Sequence, residues 1–154
     1  MKKTVFMLAA VFSLGFVGCK SATANKNDVP TQIKLKGEWT LARVSVSENY
    51  RVKPFHVADA SCFEGTVWKF VPNNNKGVLT MQGTGSQCPE FTSNFVWNVK
   101  QDGTFQLKFV DGVKAKDMKE GYAMYLYDVT KESFKLIDNS TEATITYTFE
   151  KNGK

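Results

Sequence analysis

The sequence has few of the residues that most often carry catalysis or bind metals. It contains one histidine, His56, and three cysteines, and it lacks a Gly-x-Ser-x-Gly nucleophile motif. A serine hydrolase needs a histidine beside its serine, and a zinc site needs several closely spaced ligands. We therefore expect a non-enzymatic protein without a metal or cofactor, in which His56 is an exposed loop residue.

Runs of basic residues are also missing. The chain carries 20 Lys and Arg against 15 Asp and Glu, a formal net charge of +5, and these charges are dispersed along it. Two of the positive charges lie at positions 2 and 3, so the rest of the chain is only mildly basic. Proteins that follow a phosphate backbone cluster their Lys and Arg side chains. We expect no nucleic-acid partner.

The apolar run at the N-terminus, residues 4–17, is too short for a transmembrane helix, which needs ~20 apolar residues. Two lysines precede it and small residues follow, a pattern typical of a cleaved export signal. The sequence FVGCK at 16–20 resembles the lipobox of bacterial lipoproteins, in which the cysteine is lipidated and becomes the first mature residue. The resemblance implies lipidation of Cys19. The alternative is an ordinary secretory signal followed by a chance cysteine.

We predict three regions: a lipoprotein signal peptide at 1–18, a flexible tether at 19–33 and one barrel domain at 34–154. The tether is rich in Ser, Thr, Ala, Asn and Lys and has too few apolar residues to order itself. The domain is long enough to bury a core, for which the twelve phenylalanines are candidates. Lys20 and the absence of an acidic run after Cys19 favour the periplasmic face of the outer membrane. We expect a monomer.

With Cys19 assigned to lipidation, Cys62 and Cys88 remain as a pair. Each lies thirteen residues from Asn75, the middle of an Asn-rich hairpin turn at 73–77. A strand pair centred there brings both sulfurs close together, and an exported protein meets an oxidising compartment. We predict a Cys62–Cys88 disulfide; the alternative is two unpaired buried thiols.

Apolar and polar residues alternate along most of the chain after the tether, which predicts β-strands. The predicted strands are 38–46, 66–70, 78–81, 95–99, 105–109, 123–127, 133–137 and 144–149. Short turns make neighbouring strands antiparallel, and closing eight strands with one apolar face into a barrel removes the sheet edges. We predict an all-β, eight-stranded antiparallel up-and-down barrel. A two-sheet sandwich is the alternative, and 113–121 is the one candidate helical turn.

A family resemblance adds to this prediction. It rests on the Gly-x-Trp signature of lipocalins at Gly37-Glu38-Trp39, on cysteines before the second and fourth strands, and on TYTFEK at 146–151. This order resembles the lipocalin-like domain of many small lipoproteins of Bacteroidota, over nearly the whole mature chain. The resemblance implies a lipocalin-like barrel with one closed and one open end. Trp39 would plug the closed end, with Lys151 where lipocalins often place an arginine.

The longest connection, residues 47–65, is more apolar than a solvated loop and carries Phe55 and His56. Long loops in small domains are usually functional. In lipocalins this loop is the lid over the open end, so we expect either a mobile lid or a loop packed down as a permanent plug.

Ligand pockets combine an apolar wall with a few polar groups. The candidate ligand-binding residues are Arg43, Arg51, Phe55, His56, Trp68, Trp97, Tyr125 and Tyr147. The aromatic residues would form the wall, the tyrosine hydroxyls would orient the ligand, and the arginines would bind an acidic head group. We predict an outer-membrane lipoprotein that binds a small apolar or amphipathic ligand. The alternative is an envelope structural or protein-interaction lipoprotein whose barrel is filled by its own side chains.

Overall fold

The computed structural model describes residues 26–111 and 121–153, and eight of their segments form one closed barrel. Its strands are β1 (Gly37–Val46), β2 (Val67–Val71), β3 (Lys76–Met81), β4 (Phe91–Val99), β5 (Thr104–Phe109), β6 (Tyr122–Tyr127), β7 (Ser133–Asp138) and β8 (Ile145–Lys151). Each strand pairs antiparallel with the next, and β8 pairs with β1. The predicted up-and-down barrel is confirmed. Residues 113–120 of the predicted helical turn lie outside the described residues.

Side-chain alternation places the core inside the barrel. Along β8, Ile145, Tyr147 and Phe149 are buried, whereas the threonines between them are partly exposed. The interior at the end where β1 begins is filled by rings: Trp39, Phe70, Phe95, Trp97, Phe105, Phe134 and Phe149. Ring centroids there lie as close as 4.5 Å, between Phe134 and Phe149. Eight strands enclose just enough room for side chains, so these rings leave no channel through the barrel.

Gly77 on β3 makes room for this packing. A Cβ atom at Gly77 would overlap the Phe95 ring and would lie 2.6 Å from the backbone oxygen of Lys69. Real Cβ atoms do not approach other atoms so closely, and interiors packed at crystal density have little space into which Phe95 could retreat.

A short helix, α1 (Val29–Lys34), closes the filled end of the barrel. Asp28 caps it by accepting a hydrogen bond from the Thr31 N–H at 3.1 Å, and the Asp28 N–H donates to the Val99 oxygen at 2.7 Å. The Gln32 side chain is buried, and its oxygen accepts a hydrogen bond from the Val99 N–H at 3.2 Å. Among the described residues no helix is long and apolar enough to cross a bilayer.

The predicted tether therefore extends too far along the chain. Residues 26–33 pack against the barrel end: the Lys26 oxygen accepts a hydrogen bond from the Gln101 N–H at 2.9 Å, and Asn27 forms a bridge with Lys100. The tether prediction relied on apolar content. These residues are instead held by a helix cap, backbone hydrogen bonds and one buried glutamine, none of which produces an apolar pattern.

Trp39 lies at the same end and is fully buried, with its ring nitrogen donating to the Leu35 oxygen at 2.9 Å. Lys151 lies over it with the ammonium nitrogen 4.2 Å from the ring centroid, a cation–π contact. The same ammonium group donates a hydrogen bond to the Lys36 oxygen. Burial lowers the pKa of Lys151. Gly37 permits this approach, because its φ is 112° and a Cβ atom at this position would lie 2.9 Å from the ammonium nitrogen.

We expect Gly77→Ala to destabilise the protein by about 1–3 kcal/mol, because the added methyl group overpacks the core against Phe95. Urea unfolding followed by tryptophan fluorescence measures this change. Thr80→Ala, on the outward face of the same strand, is the matched control and should cost less than about 1 kcal/mol. A Gly77→Ala variant as stable as the wild type would contradict the packing described here.

Candidate functional site

The connection between β1 and β2, residues 47–66, closes the barrel end opposite α1. A turn of 3-10 helix at Pro54–His56 carries Phe55 into the barrel, and a second at Ala60–Phe63 places Phe63 beside it. Phe55 is 8% exposed and Phe63 is fully buried. The connection is therefore packed down into the mouth of the barrel, and we call the turn Pro54–His56 with its Phe55 ring the plug.

Five aromatic side chains surround the Phe55 ring. The centroid distances are 4.9 Å to Tyr122, 5.5 Å to Phe109, 5.6 Å to Phe63, 5.7 Å to Tyr147 and 6.0 Å to Trp68. Four of these rings meet Phe55 edge-on or tilted, and Tyr147 stacks on it at 23°. Such pairs contribute about 0.5–1.5 kcal/mol each beyond simple burial. We call these five side chains the Phe55 cage.

The backbone that carries the plug is strained. Phe55 has φ 56° and ψ 16°, and the next residue, His56, has φ 59°. Non-glycine residues in the left-handed region cost of order 1–3 kcal/mol each. The cage contacts of the Phe55 ring offset this cost.

The second half of the connection is fixed more firmly. The predicted disulfide between Cys62 and Cys88 is confirmed, with Cα atoms 5.3 Å apart. The Gly65 N–H donates to the Leu41 oxygen at 2.8 Å, and the Glu64 carboxylate accepts from the Val44 N–H at 2.9 Å. These bonds hold residues 62–66 to the barrel and fix the start of β2.

Polar groups lie buried behind the plug. Tyr147 is 1% exposed, and its hydroxyl group has no hydrogen-bond partner. Burial raises the pKa of Tyr147, and the nearby Asp138 and Tyr122 raise it further. Asp138 is 7% exposed and accepts one hydrogen bond, from the Ser140 N–H at 2.8 Å. Neither of the ion pairs within 26–111 and 121–153 involves it.

A cavity of about 270 Å³ lies at this mouth of the barrel. Its walls include Lys53, Phe55, His56, Tyr122, Asp138 and Ile145. Two larger hollows, of about 510 and 550 Å³, lie along β4–β6 and beside the disulfide. Of these three hollows, the mouth cavity is the one that Phe55 lines.

The structure brings only some of the predicted ligand-binding residues together. Phe55, Trp68 and Tyr147 meet in one cluster, and His56 is exposed at the cavity rim. Trp97 lies toward the closed end, where it stacks on Phe105 and donates to the Lys76 oxygen at 3.0 Å.

Three predicted positions do not contribute to this cluster. Tyr125 is 58% exposed, because the inward positions of β6 are those of Met124 and its alternate neighbours. Arg43 is exposed because the register of β1 shifts between Leu41 and Arg43, and such a bulge turns the residues after it to the other face. Arg51 is exposed and lines the hollow beside the disulfide.

Sequence reasoning missed Asp138 and Tyr122 as parts of the site. Phe134, Leu136 and Asp138 alternate along β7 on its inward face. The period of two in this strand could therefore have predicted that Asp138 is buried. No group of three or more His, Cys, Asp or Glu able to hold a metal ion occurs in the part of the chain that the structure describes.

A closed eight-stranded barrel, plugged by a tryptophan at one end and by its first long loop at the other, defines the structural class. A family model described as a lipocalin-like domain matches residues 35–136. The chain therefore belongs to the lipocalin-like domain family. No curated protein and no solved structure matches it.

We expect the stability of the protein to fall above pH 10 because of Tyr147. Its pKa is raised in the folded state, so the unfolded chain loses this proton first. The contribution is constant below pH 10 and decreases by about 1.4 kcal/mol per pH unit above it. Urea unfolding at pH 8 and pH 11 should show a smaller alkaline loss for Tyr147→Phe than for the wild type.

Ile145→Val, on the same face of β8, controls for general destabilisation. It should lower the free energy of unfolding by about 0.5–1.5 kcal/mol at both pH values. Equal alkaline losses in the wild type and Tyr147→Phe would mean that the hydroxyl is not buried in solution.

Proposed function

We propose that this protein is a non-enzymatic lipoprotein of the cell envelope that binds a small apolar or amphipathic molecule at the mouth of its barrel. In this proposal Cys19 carries the lipid, the protein is a monomer, and the domain faces the periplasm from the outer membrane, as Lys20 and the absence of an acidic run after Cys19 suggest.

The observation that carries the binding proposal is the Phe55 plug. Phe55, on a strained turn, lines a 270 Å³ cavity and packs against a cage of aromatic rings. One ring of that cage, Tyr147, carries an unpartnered hydroxyl group. Ligand pockets have this composition, an apolar wall with few polar groups. Withdrawal of Phe55 would join cavity and cage into one pocket.

The filled half of the barrel limits the size of the ligand. Phe70 lies within 6.1 Å of four rings that belong to the closed half: Phe95, Trp97, Phe105 and Phe134. These rings are borne by strands and pack on one another, so the region cannot be emptied by one movement. The ligand occupies the mouth alone and is about as large as the cavity and the Phe55 ring together.

A lipid anchor on Cys19 would determine which end of the barrel lies toward the membrane. Residue 26 lies at the closed end, bonded to Gln101, and it follows Cys19 by seven positions, with six residues between them. Seven residues span at most ~25 Å, so a lipid on Cys19 would hold the closed end toward the membrane and the mouth away from it. The Cys62–Cys88 disulfide also suits an exported protein.

A second candidate function, an envelope interaction protein, has its own supporting observation. Tyr125 and Tyr127 are 58% and 57% exposed on the outer face of β6. Exposed tyrosines are frequent in protein interfaces. In this alternative Phe55 never withdraws, and the outer face of the barrel is the functional surface.

We expect protein extracted gently from its own membranes to carry a small molecule that native mass spectrometry detects. A panel of fatty acids, sterols, tetrapyrroles and small aromatic compounds should include one that raises the Tm. Phe55→Ala should bind that compound about tenfold more tightly, because the plug no longer competes. Phe91→Ala, outside the Phe55 cage, is the matched control for a lost ring. If neither the wild type nor Phe55→Ala binds any compound, the interaction protein becomes the better proposal.

Cys19→Ala should remove acyl labelling and shift the protein from the membrane to the soluble fraction. Lasting attachment needs two or more acyl chains, so losing the lipidated residue removes the whole anchor. Cys62→Ser controls for loss of a cysteine and should keep both label and membrane association. A Cys19→Ala protein that stays in the membrane with its label would end the lipid-anchor proposal.

A further inference from the structure

We infer that the ligand of the mouth is a small aromatic amine, whose ring takes the place of Phe55 and whose cationic nitrogen pairs with Asp138. This inference deepens the proposed binding function and rests on it. It concerns the chemistry of the buried groups behind the plug, which neither the family nor the barrel fold specifies.

The Phe55 cage has the size and shape to hold one aromatic ring. Edge-on contacts with Tyr122, Phe109 and Phe63 and the stacked contact with Tyr147 hold one six-membered ring from several sides. Aromatic pairs prefer these geometries because the ring edge is positive and the ring face is negative. An alkyl chain fills the same volume without these contacts. Phe55 therefore acts as an internal ligand that a free ring can replace.

The buried carboxylate of Asp138 favours a ligand that carries a positive charge. Asp138 is 7% exposed, lines the same cavity as Phe55, and receives one backbone hydrogen bond. A buried carboxylate is normally paired with a cation, since burial without a partner is costly. No ion pair with Asp138 occurs among the described residues. An ammonium group entering beside the ring would pair with this carboxylate.

Tyr147 supplies a second acceptor for the same nitrogen. Its hydroxyl oxygen is buried and unpartnered, and the Tyr147 ring is the one that stacks on Phe55. An ammonium group has three N–H donors and no acceptor, so it can donate to both Asp138 and the Tyr147 oxygen. A carboxylate ligand could accept from Tyr147 but would be repelled by Asp138.

Lys53 and His56 also line the cavity, and both are exposed at its rim. Solvent and salt screen charges at such positions far more than they screen a buried pair. Tyr122 also lines the cavity and presents its ring to Phe55. Among the described residues that line the cavity, Asp138 is therefore the one buried side chain that can carry a charge, and that charge is negative. The arginines predicted to bind an acidic head group, Arg43 and Arg51, do not line this cavity.

Calorimetry with 2-phenylethylamine, phenylacetate, 2-phenylethanol and n-hexylamine tests the inference, using both the wild type and Phe55→Ala. Phe55→Ala should bind 2-phenylethylamine at least about tenfold more tightly than each of the other three compounds. The wild type should show the same order of affinities with weaker binding throughout, because its plug competes with the ring.

Asp138→Asn in the Phe55→Ala background tests whether the charge of Asp138, rather than the integrity of the pocket, determines amine binding. Asparagine keeps an oxygen that can accept from Ser140, and binding of 2-phenylethanol reports whether the pocket is intact. The affinity for 2-phenylethylamine should fall about tenfold while that for 2-phenylethanol stays unchanged. Lys53→Ala, which removes a rim charge, should leave the amine affinity within about twofold.

Tighter binding of phenylacetate or n-hexylamine than of the amine, or an unchanged amine affinity in Asp138→Asn, would overturn the ligand class. The proposed binding function would survive either result, because a ligand would still enter the pocket. Failure of all four compounds, while another compound of the panel binds Phe55→Ala, would also overturn the aromatic amine. Failure of every compound, 2-phenylethanol included, would overturn the binding function itself.

Discussion

The width of an eight-stranded barrel constrains everything else in this molecule. Eight strands enclose room for one layer of side chains or for one small ligand, but not for both. The chain fills the half near α1 with aromatic rings, including Phe70 and Phe95, and even needs a glycine, Gly77, to fit them. Any ligand must therefore enter at the other half, where the space is occupied by a residue of a loop rather than of a strand.

The two ends of the barrel are closed by different means. At one end Trp39 is fully buried, hydrogen-bonded to Leu35 and covered by Lys151 and α1. At the other end Phe55 enters from a 3-10 turn with two successive residues at positive φ. Opening the first end would break strand-borne contacts and a hydrogen bond in the core. At the second end the ring is carried by a loop residue on strained backbone rather than by a strand, so in the binding proposal the opening is assigned to Phe55.

The strands were predictable because each residue's face follows from a period of two, as β8 illustrates. The faces of particular residues were harder to predict where parity or register is broken. A bulge after Leu41 turns Arg43 outward, and on β6 Met124 rather than Tyr125 points inward. α1 was missed because caps and one buried Gln32 hold it, and such contacts leave no periodic apolar signal.

The site itself was only partly predictable for the same physical reason. The loop composition indicated that residues 47–65 cover the open end, but a positive φ at Phe55 and His56 cannot be read from residue types that rarely adopt it. The inward orientation of Asp138 could have been predicted from the alternation along β7, since Phe134 and Leu136 precede it on the same face. An acidic residue ending a strand usually faces solvent. Its burial near the unpartnered Tyr147 hydroxyl places two polar groups among the aromatic rings at the mouth, and the proposed ligand class follows from this combination.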